Sequence, residues 1–163
     1  EGIEKGGTLL VKGPNLMKGY LIHGKGFIPL TDWYDTGDVV EIDENNYITI
    51  KSRLKRFAKI GGEMVSLNLV EELAAQCFGH TNFAAVVVPD KRKGEKIILF
   101  TLTLEDERLS KTLAKTLKKH IKSNKLSSLL IPADIKEIDE IPLLGSGKTD
   151  YVTLQSIALE QVN

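Results

Sequence analysis

Residues 83–104 read FAAVVVPDKRKGEKIILFTLTL, and this stretch decides the fold. The nearly continuous apolar run over 83–88 has the length of a strand and is closed by Pro89 and Asp90. A second apolar run covers 97–104, and the polar segment between the two runs is typical of a turn. The stretch therefore predicts two strands joined by a turn.

Helical patterns lie on both sides of these strands. Upstream, Asn68 and Glu71 have the spacing of a capping box, and Gly79 is well placed to end the helix. The apolar stripe of this helix consists of Leu69, Val70, Leu73, Ala74 and Cys77. Downstream, apolar residues recur every four positions, at Leu109, Leu113, Leu117 and Ile121. Lysines fill many of the remaining positions over 111–122, which predicts an amphipathic helix with a cationic outer face.

The last part of the chain adds one strand and one helix. Residues 135–138 predict a short strand, and Asp150 is predicted to cap a final helix that runs to about Leu159. A small sheet covered by helices is an α+β arrangement. We therefore expect an α+β domain over residues 53–163.

The first 52 residues have a different texture, with many glycines and with β-branched or aromatic residues in short pieces. Val39–Ile42 and Tyr47–Lys51 predict a hairpin, and Thr8–Lys12 predicts a further strand. We therefore expect a small β-rich piece over 1–52. The charged segment Ser52–Arg56 that follows has no proline or glycine run, so a compact hinge describes it better than a flexible linker.

Composition and charge exclude several classes of protein. The chain has 163 residues with 22 basic and 22 acidic side chains, so it lacks the basic field of a general nucleic-acid binder. Its single cysteine, Cys77, excludes a disulfide framework and fits a reducing compartment. The histidines have no spacing that indicates a metal site, and no apolar run approaches the roughly 20 residues of a membrane-spanning helix. We therefore expect a cytosolic protein with no metal site of its own.

Three clusters could carry chemistry. Lys148 follows Gly145-Ser146-Gly147; glycines allow close backbone approach, and a lysine ammonium can bind phosphate or carboxylate oxygens. Pro142 stands where a Walker motif needs glycine, which excludes that motif, and a surface lysine in a turn is the alternative. In the second cluster, Trp33–Asp38, the Asp38 carboxylate can accept two hydrogen bonds from vicinal hydroxyls. The alternative is that Asp35 and Asp38 cap turns. The third, 52–63, has four cations beside two glycines and could hold an anion, act as a hinge or form a solvated loop.

Taken together, these clusters resemble the last motifs of the adenylate-forming superfamily, which includes acyl-CoA synthetases, luciferases and adenylation domains. The resemblance is carried, in chain order, by residues 7–20, 33–38, 52–62 and 145–148. More closely, residues 34–38, 55–66 and 142–148 resemble the C-terminal part of the bacterial bifunctional 2-acylglycerophosphoethanolamine acyltransferase/acyl-[acyl-carrier-protein] synthetases. The resemblance implies a two-step activity, adenylation of a carboxylic acid by ATP with release of pyrophosphate and then transfer of the acyl group to a thiol. It also implies that 1–52 is the end of the large AMP-binding domain and that 53–163 is the C-terminal lid domain.

The resemblance implies a role for each matching residue. Lys148 would be the catalytic lysine of adenylation, and Lys55 would be the hinge between the two half-reactions. Gly61 and Gly62 would line the pantetheine tunnel. The nucleotide-binding residues would be Asp38, which holds the ribose, with Arg53, Thr36 and Tyr34.

The resemblance further implies ATP with Mg²⁺, a fatty acid, and the pantetheine thiol of acyl carrier protein as acceptor. A full-length enzyme of this kind would also use a lysophospholipid and associate with the cytoplasmic side of the inner membrane. Arg56 and Met64 depart from the general pattern, since many members have an acid at the first position and several acyl-CoA synthetases have an arginine at the second. The cationic face over 111–122, together with residues 91–93 and Lys125, could steer an acidic partner, or it could be a solvated helix surface.

Three functions therefore stand side by side. The first is the C-terminal part of an acyl-acyl carrier protein synthetase, and the second is the lid domain of a carboxylate–CoA ligase. The third is a non-enzymatic binding module of the same fold. The chain begins at Glu1 in a segment typical of a loop, which favours a fragment over a processed small protein. Because the family's phosphate loop and acyl pocket lie upstream of these motifs, we expect the fragment alone to be inactive.

Overall fold

The computed structural model describes residues 7–30, 32–103 and 107–160. The chain divides into two compact units, unit 1 up to Lys55 and unit 2 from Arg56 onward. This division falls inside the charged segment Ser52–Arg56, three residues after the boundary expected at residue 52. The α+β fold class is confirmed.

Unit 1 consists of β-strands. They are β1 (Gly7–Val11), β2 (Gly19–Ile22), β3 (Gly26–Pro29), β4 (Tyr34–Ile42) and β5 (Ile48–Arg53). β4 lies at the centre of an antiparallel sheet between β1 and β5, so the predicted β4–β5 hairpin is confirmed. The β2–β3 hairpin was not predicted. It requires Gly19, because a Cβ there would lie 2.2 Å from the carbonyl oxygen of Ile28.

Unit 1 buries few side chains by itself. Among its described residues, only Val39 and Val40 are buried. Large apolar side chains are exposed on every strand, including Leu10, Leu21, Phe27, Ile42 and Ile50. An open cleft of about 780 Å³ between β1 and β4 is lined by Leu10, Trp33 and Ile42 among others. Unit 1 therefore keeps much of its apolar surface exposed.

A 3₁₀ turn over Leu54–Arg56 spans the division between the units: its first two residues belong to unit 1, and Arg56 is the first residue of unit 2. The strands of unit 2 are β6 (Phe57–Ile60), β7 (Glu63–Ser66), β8 (Phe83–Asp90), β9 (Gly94–Leu102) and β10 (Asp134–Ile138). Its α-helices are α1 (Leu67–Phe78), α2 (Glu107–Ser123) and α3 (Tyr151–Glu160), and a second 3₁₀ turn covers Ser128–Leu130.

The strands predicted over 83–88 and 97–104 form as β8 and β9, and β9 lies at the centre of the sheet in unit 2, while residue 104 lies outside the described residues. β9 pairs antiparallel with β8 along its length and parallel with β10, and β6 joins through Ile60 and Gly94. Alternate residues of β8 and β9 face two separate cores. One core contains Ala85, Leu99 and residues of α1 and α2, and the other contains Phe100 and residues of α3. Helices therefore cover both faces, which explains why these strands are apolar at consecutive positions.

Helix α1 shows that the capping-box prediction was wrong. Ser66 is the N-cap, since its Oγ accepts a hydrogen bond from the amide of Leu69 at 3.3 Å. Asn68 and Glu71 instead accept hydrogen bonds from the side chain of Arg56. Gly79 ends the helix as predicted, with a φ of 77° that a residue without Cβ adopts at low cost. Leu69 is 37% exposed and so lies off the buried stripe.

Helix α2 has the predicted amphipathic pattern. Leu113, Leu117 and Ile121 are at most 3% exposed, and Leu117 and Ile121 pack in the core that contains residues of α1 and the sheet. The outer face carries the exposed residues Lys115, Lys118, Lys119 and Lys122. The side chains of Leu109 and Lys111 lie outside the described residues. In the described parts of the chain, no helix has the length and apolar character to cross a bilayer.

Helix α3 is capped by Asp150 as predicted. Its Oδ1 accepts hydrogen bonds from the amides of Val152 and Thr153, both at 3.1 Å, and its Oδ2 accepts one from the Thr153 hydroxyl at 2.8 Å. On the inner face, Leu154 and Ala158 are fully buried against β8 and β9. The cap fixes the start of α3 directly after the segment that contains Lys148.

We expect Asp150 to make the stability of unit 2 depend on pH in the acid range. The hydrogen bonds from the amide and hydroxyl of Thr153 lower the pKa of Asp150. Its stabilising contribution is therefore complete above its unfolded pKa of about 3.9 and is lost as the pH falls through the lower, folded value. The variant Asp150→Asn keeps an acceptor oxygen but carries no charge, so its acid unfolding, followed by helical circular dichroism, should depend less steeply on pH below about 4. Identical acid titrations of variant and parent would contradict this prediction.

Candidate functional site

The predicted nucleotide-binding residues of unit 1 lie on β4 and β5. Asp38 and Arg53 are register partners, and Nε of Arg53 donates a hydrogen bond to Oδ1 of Asp38 at 3.0 Å. The Asp38 side chain is 16% exposed, whereas that of Arg53 is 71% exposed. An ion pair with one partner largely in solvent contributes little to stability. The carboxylate can therefore exchange this partner for ligand hydroxyls at small cost.

The turn before Asp38 is held by side chains of the same cluster. The Thr36 hydroxyl donates to the carbonyl of Leu9 and accepts from the amide of Asp38, both at 3.0 Å. Asp35 accepts a hydrogen bond from the amide of Gly37 at 2.8 Å. The turn-capping alternative therefore applies to Asp35, while Thr36 orients the backbone that carries the Asp38 carboxylate.

Tyr34 contacts a residue that the sequence analysis did not single out. The hydroxyl of Tyr20, on β2, donates to the hydroxyl of Tyr34 at 3.3 Å, and this hydrogen bond raises the pKa of Tyr20. Tyr20 therefore stays a neutral phenol at physiological pH, because a tyrosine starts near pH 10. The contact links the β2–β3 hairpin to the start of β4, next to the turn that leads to Asp38.

Lys148 lies on a short loop of unit 2 between β10 and α3. Backbone contacts close this loop: Leu143 pairs with Thr149, and hydrogen bonds run from Leu144 N to Lys148 O (2.7 Å), from Gly147 N to Leu144 O (2.8 Å) and from Asp150 N to Pro142 O (2.8 Å). The Lys148 side chain is exposed and makes no hydrogen bond or ion pair with any residue that the structure describes. An ammonium on a braced backbone, available to an incoming anion, suits the stabilisation of developing negative charge.

Gly61 and Gly62 form the two-residue turn of the β6–β7 hairpin. Their φ angles are 62° and 95°, and two consecutive positive values are the geometry of a tight hairpin turn that glycine permits. A Cβ at either position would meet no atom within 4 Å, so the space beside them is open. The Gly61 amide donates to the carbonyl of Lys93 at 2.8 Å, which places this turn against the β8–β9 turn. The solvated-loop alternative for residues 52–63 was wrong, because this segment contains the end of β5, a 3₁₀ turn, β6 and the start of β7.

Lys55 is exposed and is the last residue of unit 1. The next residue, Arg56, is held firmly inside unit 2 by three hydrogen bonds. Its Nε donates to Asn68 Oδ1 at 3.0 Å, its Nη1 to the carbonyl of Ala85 at 2.8 Å and its Nη2 to Glu71 Oε1 at 2.5 Å. The side chains of Arg56 and Glu71 are only 13% and 17% exposed. At the predicted hinge, an exposed residue, Lys55, is therefore followed directly by a residue that is hydrogen-bonded within unit 2, Arg56.

The network around Arg56 was missed by the sequence analysis. Its partners lie 12, 15 and 29 positions away along the chain, so no local pattern reveals them. The signal that could have found it was the basic residue at position 56, where many relatives of the resembled family have an acid. A cation in that position needs a new acceptor, and Glu71 supplies it.

Cys77 shows no sign of catalytic activation. It is partly buried against the core beneath α1, and burial raises the pKa of its thiol. A thiol with a raised pKa is a poor nucleophile at neutral pH, which agrees with the interpretation that Cys77 is a core residue. Within the described residues, no three His, Cys, Asp or Glu side chains gather as a metal site would require.

Comparison with known proteins finds similarity to AMP-binding enzymes. The profile of the AMP-binding enzyme C-terminal domain matches residues 69–148. The chain is 29% identical over 161 residues to the 2-hydroxy-7-methoxy-5-methyl-1-naphthoate–CoA ligase of Streptomyces carzinostaticus, covering 96% of the chain and 28% of that ligase. It is 28% identical over 157 residues to a 2-succinylbenzoate–CoA ligase of Staphylococcus epidermidis, covering 95% of the chain and 32% of the relative.

The fold is shared with solved structures of the same kind. The ATP-bound RpMatB–BxBclM chimera B1 aligns with a TM-score of 0.75 at 27% identity, over 93% of this chain and 30% of that one. The chain thus spans about 30% of the length of the proteins that it matches. Over residues 69–148 the chain is therefore similar to the C-terminal domain of AMP-binding enzymes.

Proposed function

We propose that this chain is the C-terminal part of an ATP-dependent ligase that activates a carboxylic acid as its acyl-adenylate and passes the acyl group to a pantetheine thiol. The observation that carries the proposal is Lys148, an exposed ammonium on a backbone loop closed by hydrogen bonds, with no side-chain partner in the described part of the chain. This is the position of the catalytic lysine in the resembled family.

In the first half-reaction, a carboxylate oxygen of the acid attacks the α-phosphorus of ATP, and the bond to pyrophosphate breaks. Negative charge builds on the α-phosphate oxygens, and Lys148 stabilises it. Asp38 holds the ribose hydroxyls, with Arg53 released from its exposed ion pair to assist. Mg²⁺ would enter the site bound to the phosphates of ATP, as part of the substrate, because magnesium usually keeps phosphate and water oxygens as most of its ligands.

In the second half-reaction, the thiol sulfur attacks the acyl carbonyl, the thiol proton is released and AMP leaves. We assign Lys55 as the hinge that allows unit 2 to serve both steps, since the division into units follows it directly. Gly61 and Gly62 line the path of the pantetheine, and the open space beside their turn suits this role.

Unit 1 supports the view that the chain is part of a larger enzyme. Its strands expose apolar side chains that a longer domain would cover, and the matched ligases are about three times as long as the chain. On this proposal unit 1 is the end of the large AMP-binding domain, whose remaining part supplies the acyl and adenine pockets. The 163-residue chain alone should then catalyse no ATP–pyrophosphate exchange.

Two acceptors fit the proposed chemistry. Coenzyme A is the first, because several similar proteins are named as CoA ligases. Acyl carrier protein is the second, and a specific contact favours it: the hydrogen bond between Gly61 and Lys93 sets the glycine turn beside the exposed cations of Lys91–Lys93. An acidic carrier that docks on these cations would bring its pantetheine to Gly61 and Gly62. In that case a fatty acid and a lysophospholipid would be the substrates, and the parent enzyme would work at the cytoplasmic face of the inner membrane.

The test uses the full-length protein that contains this chain, supplied with ATP, a fatty acid or aryl acid, and either CoA or holo-acyl carrier protein. Release of pyrophosphate in the first half-reaction, followed by release of AMP and formation of a thioester in the second, supports the ligase. The thiol that is used preferentially identifies the acceptor. The double variant Lys91→Glu/Lys93→Glu should raise the KM for the carrier protein at least about tenfold and leave the KM for CoA unchanged. Absence of acid-dependent pyrophosphate release with every acid tried would overturn the proposal in favour of a binding module.

A further inference from the structure

The guanidinium of Arg56 stacks on a ring that begins the last helix. Its Cζ lies 3.8 Å from the centroid of the Tyr151 ring, well within the distance at which a cation and an aromatic face attract each other. Tyr151 is half-buried, which excludes water from one side of the contact. Arg56 thereby joins the entry of unit 2 to the start of α3, in addition to its hydrogen bonds to α1 and β8.

Glu71 fixes the orientation of Arg56 in this stack. Oε1 of Glu71 accepts a hydrogen bond from Nη2 of Arg56 and a second one from the amide of Ala85 at 2.7 Å. The carboxylate therefore cannot move without leaving a buried amide unpaired, which is costly. The N–H groups at the edge of the planar guanidinium donate hydrogen bonds to α1 and β8. Tyr151 therefore contacts the guanidinium through its flat face.

Tyr151 in turn lies next to the base of the Lys148 loop. Thr149 and Asp150 separate it from Lys148, and both have backbone contacts to the other end of the loop, at Leu143 and Pro142. Burial, followed by the charge of Glu71, raises the pKa of Tyr151, so its ring stays a neutral phenol at physiological pH. A displacement of this ring would pull on the segment that closes the loop.

We propose that Arg56 and Tyr151 are positioning residues, which set the orientation of the Lys148 loop relative to the point where the chain enters unit 2. The inference rests on the proposed function for the catalytic meaning of Lys148, but its structural part does not. Its consequence is that a rotation at Lys55 delivers the ammonium in a fixed geometry, because the residue after the hinge is joined to the loop through packed side chains.

The structural part is tested by hydrogen exchange in the 163-residue chain. In Tyr151→Leu, which removes the ring, the amides of Leu144 and Gly147 should exchange at least about tenfold faster, since their hydrogen bonds close the loop. Tyr151→Phe keeps the ring but loses the hydrogen bonds of the hydroxyl to Thr149 and Glu71, so it should exchange more slowly than Tyr151→Leu, which separates stacking from the hydroxyl. Tyr47→Leu is the matched control, because Tyr47 is 72% exposed on unit 1. Parental exchange at Leu144 and Gly147 in Tyr151→Leu would overturn the proposal.

Arg56→Lys provides a second test if Tyr151→Leu fails to fold. It keeps the charge and loses the planar fork, so it should also speed exchange at the loop amides while the amides of the β8–β9 ladder stay protected. Unchanged loop exchange in a folded Arg56→Lys protein would likewise contradict the inference.

The functional part is tested in the full-length enzyme. Tyr151→Leu should lower kcat for ATP–pyrophosphate exchange about tenfold, leave the KM for ATP unchanged, and spare thiol transfer from a supplied acyl-adenylate. An equal loss in both half-reactions would indicate a merely structural role and overturn the positioning assignment. If Lys148→Ala itself leaves adenylation intact, the proposed function fails, while the exchange rates still decide whether the stack orients the loop.

Discussion

The variant Lys148→Ala of the full-length protein should lose adenylation by about 100- to 1000-fold in kcat, the effect of removing one group that stabilises developing charge. Lys148 is exposed and has no side-chain partner among the described residues, so its removal leaves no unpaired group and should not destabilise unit 2. The thermal midpoint should therefore equal that of the parent. This separates a catalytic loss from a loss of folded protein.

The measurement is ATP–pyrophosphate exchange beside thioester formation from a chemically supplied acyl-adenylate. The first should collapse and the second should remain, because the lysine acts on charge that develops only during adenylation. Lys25→Ala, at an exposed turn of unit 1, is the matched control and should retain both activities. Equal loss of the two half-reactions in Lys148→Ala would remove this residue from the proposed role.

The second large effect is expected in the core. Phe100→Ala should lower the free energy of unfolding by about 3–5 kcal/mol, because the Phe100 side chain is fully buried between β8, β9 and α3. A loss of this size is a large fraction of the stability of an ordinary domain. For a unit of about 100 residues it corresponds to a fall of at least roughly 12 °C in the thermal midpoint.

Circular dichroism at 222 nm is the suitable probe, because α1, α2 and α3 all lie in unit 2. Phe27→Ala is the matched control, since Phe27 is 57% exposed on β3 and should change the midpoint little. A shift of less than a few degrees in Phe100→Ala would show that α3 does not form a core with β8 and β9.

Several of the elements that the sequence predicted have a long, regular pattern. Helix α2 was identified because apolar residues recur every four positions, and β8 and β9 because their apolar runs are continuous. The cap at Asp150 was found because it needs only amides two and three residues away. Local chemistry was sufficient in each case.

The missed elements depend on contacts that are distant in sequence or on very short strands. β6 and β7 have only four residues each, and each contains a charged residue. They therefore lack the apolar run that would have predicted the hairpin around Gly61 and Gly62. The cap of α1 was misplaced by two residues because Asn68 and Glu71 look like a capping box but bind Arg56 instead. Tertiary contacts overrode a local preference there, which is the usual reason for such errors.

In the candidate site, too, some residues could be predicted from local sequence, whereas contacts between distant positions could not. The residues of unit 1 could be selected by type and spacing, and the structure brings Asp38 and Arg53 into contact, while their roles stay predictions. The Arg56–Tyr151 stack could not be anticipated, because it joins positions 95 residues apart. Residue types indicate which chemistry is available, whereas the supporting contacts follow from the fold.

The anchoring of Arg56 has a practical consequence for protein engineering. All the partners of Arg56 belong to unit 2: the acceptors Asn68, Glu71 and Ala85 and the stacked ring of Tyr151. Any exchange of domains should therefore transfer Arg56 together with unit 2. A splice between Lys55 and Arg56 transplants the whole set. A splice one residue later, into a recipient with an acid at that position, would set two carboxylates against each other and yield a hybrid that folds poorly.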